Sequence, residues 1–190
     1  MRQPDTSVFT GFGPWDGGGH GTYPSWRSYL LDGGADDPGR RTYGWAARPA
    51  SDPQSLEVFD TGLTTLGAVS HACPEDRVLV HADLLNRNVF VDDERIAGVI
   101  DWGGSLYGDC LYDAAVLAFW SPWYPAIDVG AVVKGARELP GARTNFDERM
   151  RAYQLHIGLD HIAYNAFLGA EHRDELKRVC LRTAEIARGA

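Results

Sequence analysis

The chain has 190 residues, enough for one domain with a sizeable core or at most two small ones. Hydrophobic residues make up 44% and charged residues 23%, which is ordinary globular usage and excludes fibrous and wholly disordered chains. The 26 acidic residues outnumber the 18 basic ones for a net charge of −8, so a nucleic-acid partner, which calls for a basic face, is not expected.

Residues 1–50 are rich in glycine, proline and aromatics, as in Gly11-Phe12-Gly13-Pro14-Trp15-Asp16-Gly17-Gly18-Gly19-His20-Gly21. They read as irregular structure pinned by aromatic anchors, interrupted by a short helix from Ser25 that carries Trp26, Tyr29 and Leu30 on one face. Met1–Asp5 has no apolar signal core. Asp52-Pro53 supplies an N-cap and a proline at the first helical position. Leu56, Phe59, Leu63, Leu66 and Val69 follow at spacings of three and four, a helix to about His71.

Arg77 to Val80 fits a short buried strand, and residues 88–91 and 96–100 fit a hairpin turning at Asp92-Asp93-Glu94. Three helices follow: Asp109 to Trp120, Asp147 to Leu168, and Glu171 to Ala187. The pattern predicts an α+β fold, mainly α, divided at residue 50 into an irregular region (1–50) and a helical body (51–190). No apolar run is long enough to span a membrane. Cys73, Cys110 and Cys180 are widely spaced and read as reduced thiols of a cytoplasmic protein.

The informative segment is His81-Ala82-Asp83-Leu84-Leu85-Asn86-Arg87-Asn88, followed by Val99-Ile100-Asp101-Trp102. A strand leads to an Asp, an Asn stands five residues on, and a second Asp ends the hairpin thirteen residues later. Phosphoryl transfer uses such a set. One carboxylate takes the proton of the attacking hydroxyl, while an amide oxygen and a second carboxylate hold Mg²⁺ against nucleotide phosphates. As residues alone, the same three positions also fit an Asx turn and a hairpin end.

Together with Tyr107-Gly108-Asp109 and Tyr112-Asp113-Ala114-Ala115, these motifs resemble the aminoglycoside phosphotransferase family, and within it the hygromycin-type branch. Gly11-Phe12-Gly13-Pro14, Trp26-Arg27, Phe119-Trp120 with Pro122-Trp123, and Arg151-Ala152-Tyr153 extend the likeness over roughly residues 8–30 and 77–188. The resemblance implies a kinase-like C-terminal lobe, with its hairpin carrying the metal-binding Asp. It implies Asp83 as catalytic base, Asn88 and Asp101 as Mg²⁺ ligands, His81 as a brace of the loop, and ATP as co-substrate. The acceptor implied is a cationic aminoglycoside, and the setting antibiotic resistance. Asp109 and Asp113 are candidates for contacting that acceptor or for capping the following helix. Trp120 and Trp123 are candidates for stacking on a sugar ring or for the core.

Only two of the basic residues are lysines, Lys134 and Lys177, and none precedes Asp83. A kinase grips the ATP phosphates with a Gly-rich loop and a strand lysine in its N-terminal lobe. That lobe is therefore expected to be absent, leaving an apolar face beside Val80–Asn88 and Val99–Trp102 for a partner chain or a second copy. A non-catalytic remnant or half of a split kinase is the alternative to a working enzyme.

Overall fold

The computed structural model describes residues 8–93 and 95–189. The glycine-rich start forms a hairpin. β1 (Phe12–Trp15) and β2 (Gly21–Tyr23) pair antiparallel, with Phe12 opposite Tyr23 and Trp15 opposite Gly21. Asp16 organises the turn, its Oδ1 accepting the N–H groups of Gly18 at 2.8 Å and His20 at 3.0 Å. Gly11 is required here: its φ is +76°, and a Cβ would lie 2.1 Å from the Gly21 carbonyl oxygen.

The hairpin is one edge of a four-stranded sheet. β6 (Leu106–Gly108) pairs with β1 through Tyr107 opposite Gly13, and with β3 (Val78–Val80) through Leu79 opposite Tyr107. The order is β2-β1-β6-β3. The irregular structure expected around residues 11–23 is thus corrected to strand pairing, whose partner lies far along the chain. β4 (Val89–Asp92) and β5 (Arg95–Val99) form the expected second hairpin, turning at Asp93 with φ +44°; Glu94 of the expected turn lies outside the described residues.

Helices make up the rest. α1 (Trp26–Leu31) starts at a reciprocal cap between Ser25 and Ser28 and fully buries Trp26 and Leu30. α2 (Pro53–Val69) starts at Asp52, whose side chain accepts the Ser55 N–H at 2.8 Å. α3 (Tyr112–Trp120) begins three residues later than the sequence pattern suggests, because Asp109 is drawn into a buried ion pair. α4 (Val129–Arg137) was not expected; Asp128 caps it by accepting the Ala131 N–H at 3.0 Å.

α5 (Phe146–Leu168) is the centre of the body and packs on α2, α3 and α6 (Arg173–Arg188). Tyr153, Leu155, Leu159 and Ile162 are fully buried along it, each apolar side chain contributing about 1.5–3 kcal/mol. Gly158 lets α6 approach, since a Cβ there would meet Thr183 Oγ1 at 2.2 Å. At the other end of α5, Arg149 forms a bidentate pair with Asp109, Nη2 to Oδ1 at 2.7 Å and Nε to Oδ2 at 2.8 Å. Among the described residues no helix is long and apolar enough to cross a membrane.

Candidate active site

Strand β3 delivers the chain into His81–Asn88, and three sets of hydrogen bonds hold that segment. Asp113, on the first turn of α3, accepts the His81 N–H through Oδ2 at 3.1 Å and the Ala82 N–H through Oδ1 at 2.8 Å. Burial raises the Asp113 pKa above its usual value, and these two bonds oppose that rise without cancelling it. They also hold Ala82 at φ +64°, a left-handed conformation that costs a non-glycine residue about 1–2 kcal/mol.

The buried His81 ring is the second anchor. Its Nδ1 accepts the Asp83 N–H at 3.3 Å, so the ring proton sits on Nε2, which donates to the Ile100 carbonyl at 2.8 Å. Trp102 meets the same ring edge-on with centroids 4.7 Å apart. With both nitrogens committed, His81 is a brace. The third anchor is Asn88, whose amide donates to the Asp83 backbone carbonyl at 2.7 Å and to Asp83 Oδ2 at 3.1 Å.

The second hairpin is joined to this loop at Ile100. Its N–H donates to the Asn88 carbonyl at 3.0 Å while its carbonyl receives the His81 proton. Asp101 therefore leaves the hairpin from a point fixed on the same segment, in a left-handed conformation with φ +62°. Among the described residues its carboxylate takes no hydrogen bond or ion pair. The Asn88 amide oxygen is also left over once the NH₂ has been used. An uncommitted carboxylate and an amide oxygen are the hard donors Mg²⁺ prefers, so these residues fit that ion. Among the described residues no group of three or more His, Cys, Asp or Glu is placed to hold a metal by itself. A site here would share its shell with phosphate and water.

Asp83 opens onto a cavity of about 400 Å³. Three carboxylates line it, Asp83, Asp160 and Glu175, together with the aromatic rings of Trp120, Tyr124 and Tyr164. His156 and His161 also line it. Burial pushes the His156 pKa down to about 4 and lowers that of His161, so both are neutral at pH 7. Arg87 reaches Asp83 from one turn on, with Nη2 at 3.3 Å from Oδ1 and 3.2 Å from Oδ2.

A family model for the phosphotransferase enzyme family, APH, matches residues 7–153. The chain belongs to this family. Hygromycin-B 4-O-kinase of Escherichia coli is 37% identical over 160 residues, which is 83% of this chain and 44% of that protein. Among solved structures, an apo thermostable mutant of the aminoglycoside phosphotransferase APH(4)-Ia superposes with a TM-score of 0.81 and 33% identity, covering 97% of this chain and 59% of that one. A ternary complex of such a mutant with AMP-PNP and hygromycin B gives 0.80 and 32%, covering 98% and 60%. The chain thus spans about half the length of the relatives it matches. Its fold is the kinase-like fold of the phosphotransferase family, mainly helical with small sheets.

Within this phosphotransferase fold His81, Asp83 and Asn88 form one hydrogen-bonded unit with Ile100, the residue before Asp101. Other expectations change. Asp109 does not face the cavity: its buried carboxylate is consumed by Arg149, the Leu111 N–H at 3.0 Å and the Tyr153 hydroxyl. Both Asp113 oxygens are committed to backbone amides, so it supports the loop. Trp123 packs on Phe119 and Trp120, whereas Trp120 does line the cavity. Asp160 and Glu175 were missed. The available signal was Asp160 as a lone acid within the apolar run His156-Ile157-Gly158-Leu159.

Proposed function

We propose that the chain carries the catalytic half of a phosphotransferase that moves the ATP γ-phosphate to a hydroxyl of a cationic aminoglycoside of the hygromycin type. The observation that carries this reading is the braced Asp83 opening onto an acidic, aromatic-lined cavity. Asp83 accepts the proton of the attacking hydroxyl, and the hydrogen bonds of its loop fix the carboxylate for that task. Asn88 and Asp101 would hold Mg²⁺, which supplies charge neutralisation at the nucleotide phosphates when bound. Asp160 and Glu175 attract the acceptor's ammonium groups, and Trp120 offers a face to a sugar ring. The likeness to a hygromycin-B kinase, and to a ternary complex with AMP-PNP and hygromycin B, supports both substrates. The three unpaired thiols support a reducing, cytoplasmic setting.

The phosphate-gripping lysine of a kinase has no candidate before Asp83. This, with the half-length coverage, supports a second lobe supplied by polypeptide outside these 190 residues. Val91 and Ile96, opposite each other on the second hairpin, are 65% and 69% exposed, and we assign that apolar pair to such a lobe or to a second copy of the chain. The same observations favour a second reading, a binding module that takes the aminoglycoside without modifying it.

Transfer from radiolabelled ATP to hygromycin B separates the two. Asp83→Asn is expected to lower the rate by about 10²–10⁴-fold. Unchanged transfer by that variant would refute the assignment of Asp83. Aminoglycoside binding without Mg-ATP binding or transfer would favour the binding module.

A further inference from the structure

We propose that Arg87 is a catalytic cation of this site, leaving Asp83 in part to hydrogen-bond the γ-phosphoryl group as it passes to the acceptor hydroxyl. The inference rests on the phosphotransfer reading above and adds the side chain that meets the moving phosphate.

The cavity beside Asp83 is lined by three carboxylates and two neutral histidines, and Arg87 is its one guanidinium or ammonium among the described lining residues. Asp160 and Glu175 have arginine partners outside the cavity lining, Arg40 at 3.9 Å and Arg178 at 3.5 Å, so the repulsion a triphosphate meets here comes first from Asp83. A metal ion offsets only part of that, and no lysine precedes Asp83 in the sequence.

Arg87 is also held loosely. Its Nη2 divides between the two Asp83 oxygens at 3.3 and 3.2 Å, beyond the usual reach of a charge-assisted bond of about 2.7–2.9 Å. The structural pair Arg149–Asp109 differs on every count, with contacts of 2.7 and 2.8 Å and side chains 2% and 0% exposed. The Arg87 side chain is 60% exposed, and an exposed pair at this spacing contributes little, so its release costs little. Nε and Nη1 have no partner among the described residues, which leaves three N–H donors for another ligand.

Arg87 meets the base beside Asn88, the residue assigned to the metal: its Nη2 lies 3.2 Å and the Asn88 amide nitrogen 3.1 Å from the same Asp83 Oδ2, so a group that serves both base and phosphate belongs here. Its planar fork matches two phosphoryl oxygens. In the step itself the acceptor oxygen bonds to the γ-phosphorus while the bond to the β–γ bridging oxygen breaks. The hydroxyl proton passes to Asp83 and ADP leaves with the electron pair. Arg87 keeps its proton throughout and donates hydrogen bonds to the non-bridging oxygens.

The test uses Arg87→Ala, Arg87→Gln and Arg87→Lys in the intact protein, with transfer kinetics and calorimetry against Mg-ADP and Mg-AMP-PNP. The Ala and Gln variants are expected to lose about 10²–10³-fold in kcat, with partial recovery in the Lys variant. They should bind Mg-AMP-PNP about tenfold more weakly and Mg-ADP within about twofold of wild type. A residue that merely positions Asp83 would not distinguish the two nucleotides. Equal losses toward both, or a kcat within about threefold of wild type, overturns the assignment of Arg87. A wild-type protein that transfers no phosphate overturns the underlying reading and this inference with it, whereas active wild type with unaffected variants overturns this inference alone.

Discussion

Replacing Arg149 by methionine probes the deepest electrostatic contact in the molecule. The change strands Asp109, whose carboxylate is 0% exposed, and removes the donor to the Gly141, Ala142 and Thr144 carbonyls at 2.8, 3.2 and 3.0 Å. Burial by itself would lower the Arg149 pKa, yet the hydrogen bonds and charge of Asp109 hold it above its normal value, so the guanidinium stays charged at any working pH. Breaking a buried pair on one side costs about 3–5 kcal/mol. With an m-value of about 2 kcal/mol per molar urea, the unfolding midpoint should fall by about 2 M. Asp109→Leu combined with Arg149→Met should be much milder, because no charge is left buried. Urea unfolding of the two single variants and the double variant closes the cycle. A midpoint shift below about 0.5 M for Arg149→Met, or single effects that simply add, would refute the reasoning. The consequence reaches the Asp83 loop, since Asp109 fixes the entry to α3 and α3 carries Asp113, which holds His81 and Ala82.

His156 makes stability depend on pH. Its folded pKa of about 4 lies below the ordinary 6.5, so its contribution is fully present above that value and is lost as pH falls toward 4. The loss is about 3 kcal/mol, and His156→Gln should flatten this part of a plot of urea midpoint against pH; an unchanged slope would contradict it. Gly158→Ala drives a Cβ against Thr183 Oγ1, and overpacking of about 1–3 kcal/mol should outweigh the gain in helix propensity. Its melting temperature should drop by several degrees and recover when Thr183→Ala is added; melting at or above wild type would show that the helices simply move apart. Asp160→Asn should raise KM for the aminoglycoside about tenfold and leave KM for ATP unchanged, and equal changes in both would count against an acceptor contact.

Local chemistry was legible in the sequence. Ser25, Asp52-Pro53 and the apolar period of α5 mark helices because caps and amphipathic spacing act within one or two turns. The strand, loop and hairpin around His81–Asp101 were legible too, since their spacing is set by a single loop and one hairpin. What escaped depends on partners far along the chain. β1 pairs with the nearby β2 on one side, but it joins the sheet because Tyr107 lies opposite Gly13 on the other, and nothing near Gly13 announces this. Near Asp109 the sequence announces only the entry to α3, where it accepts the Leu111 N–H, and not Arg149, its ion-pair partner forty residues on. α4 was hidden by Gly130 and Gly135, although Asp128 offered a cap. Asp160 and Glu175 share a cavity with Asp83 only after α5 and α6 have packed.

The pairing of Gly13 with Tyr107 also sets an order of events on the ribosome. About ninety residues must be translated between the two strands, which takes about 5–20 s at ordinary elongation rates. Throughout that interval β1 and β2 can form only an isolated hairpin, which is marginal in water, with an unpaired edge and Trp15 open to solvent. When β6 emerges it joins β1 and β3 in one event, and the loop that follows β3 is the one bearing Asp83. Nascent chains therefore carry a sticky edge for seconds before the Asp83 loop has a frame to rest on, and a chaperone has that window in which to act.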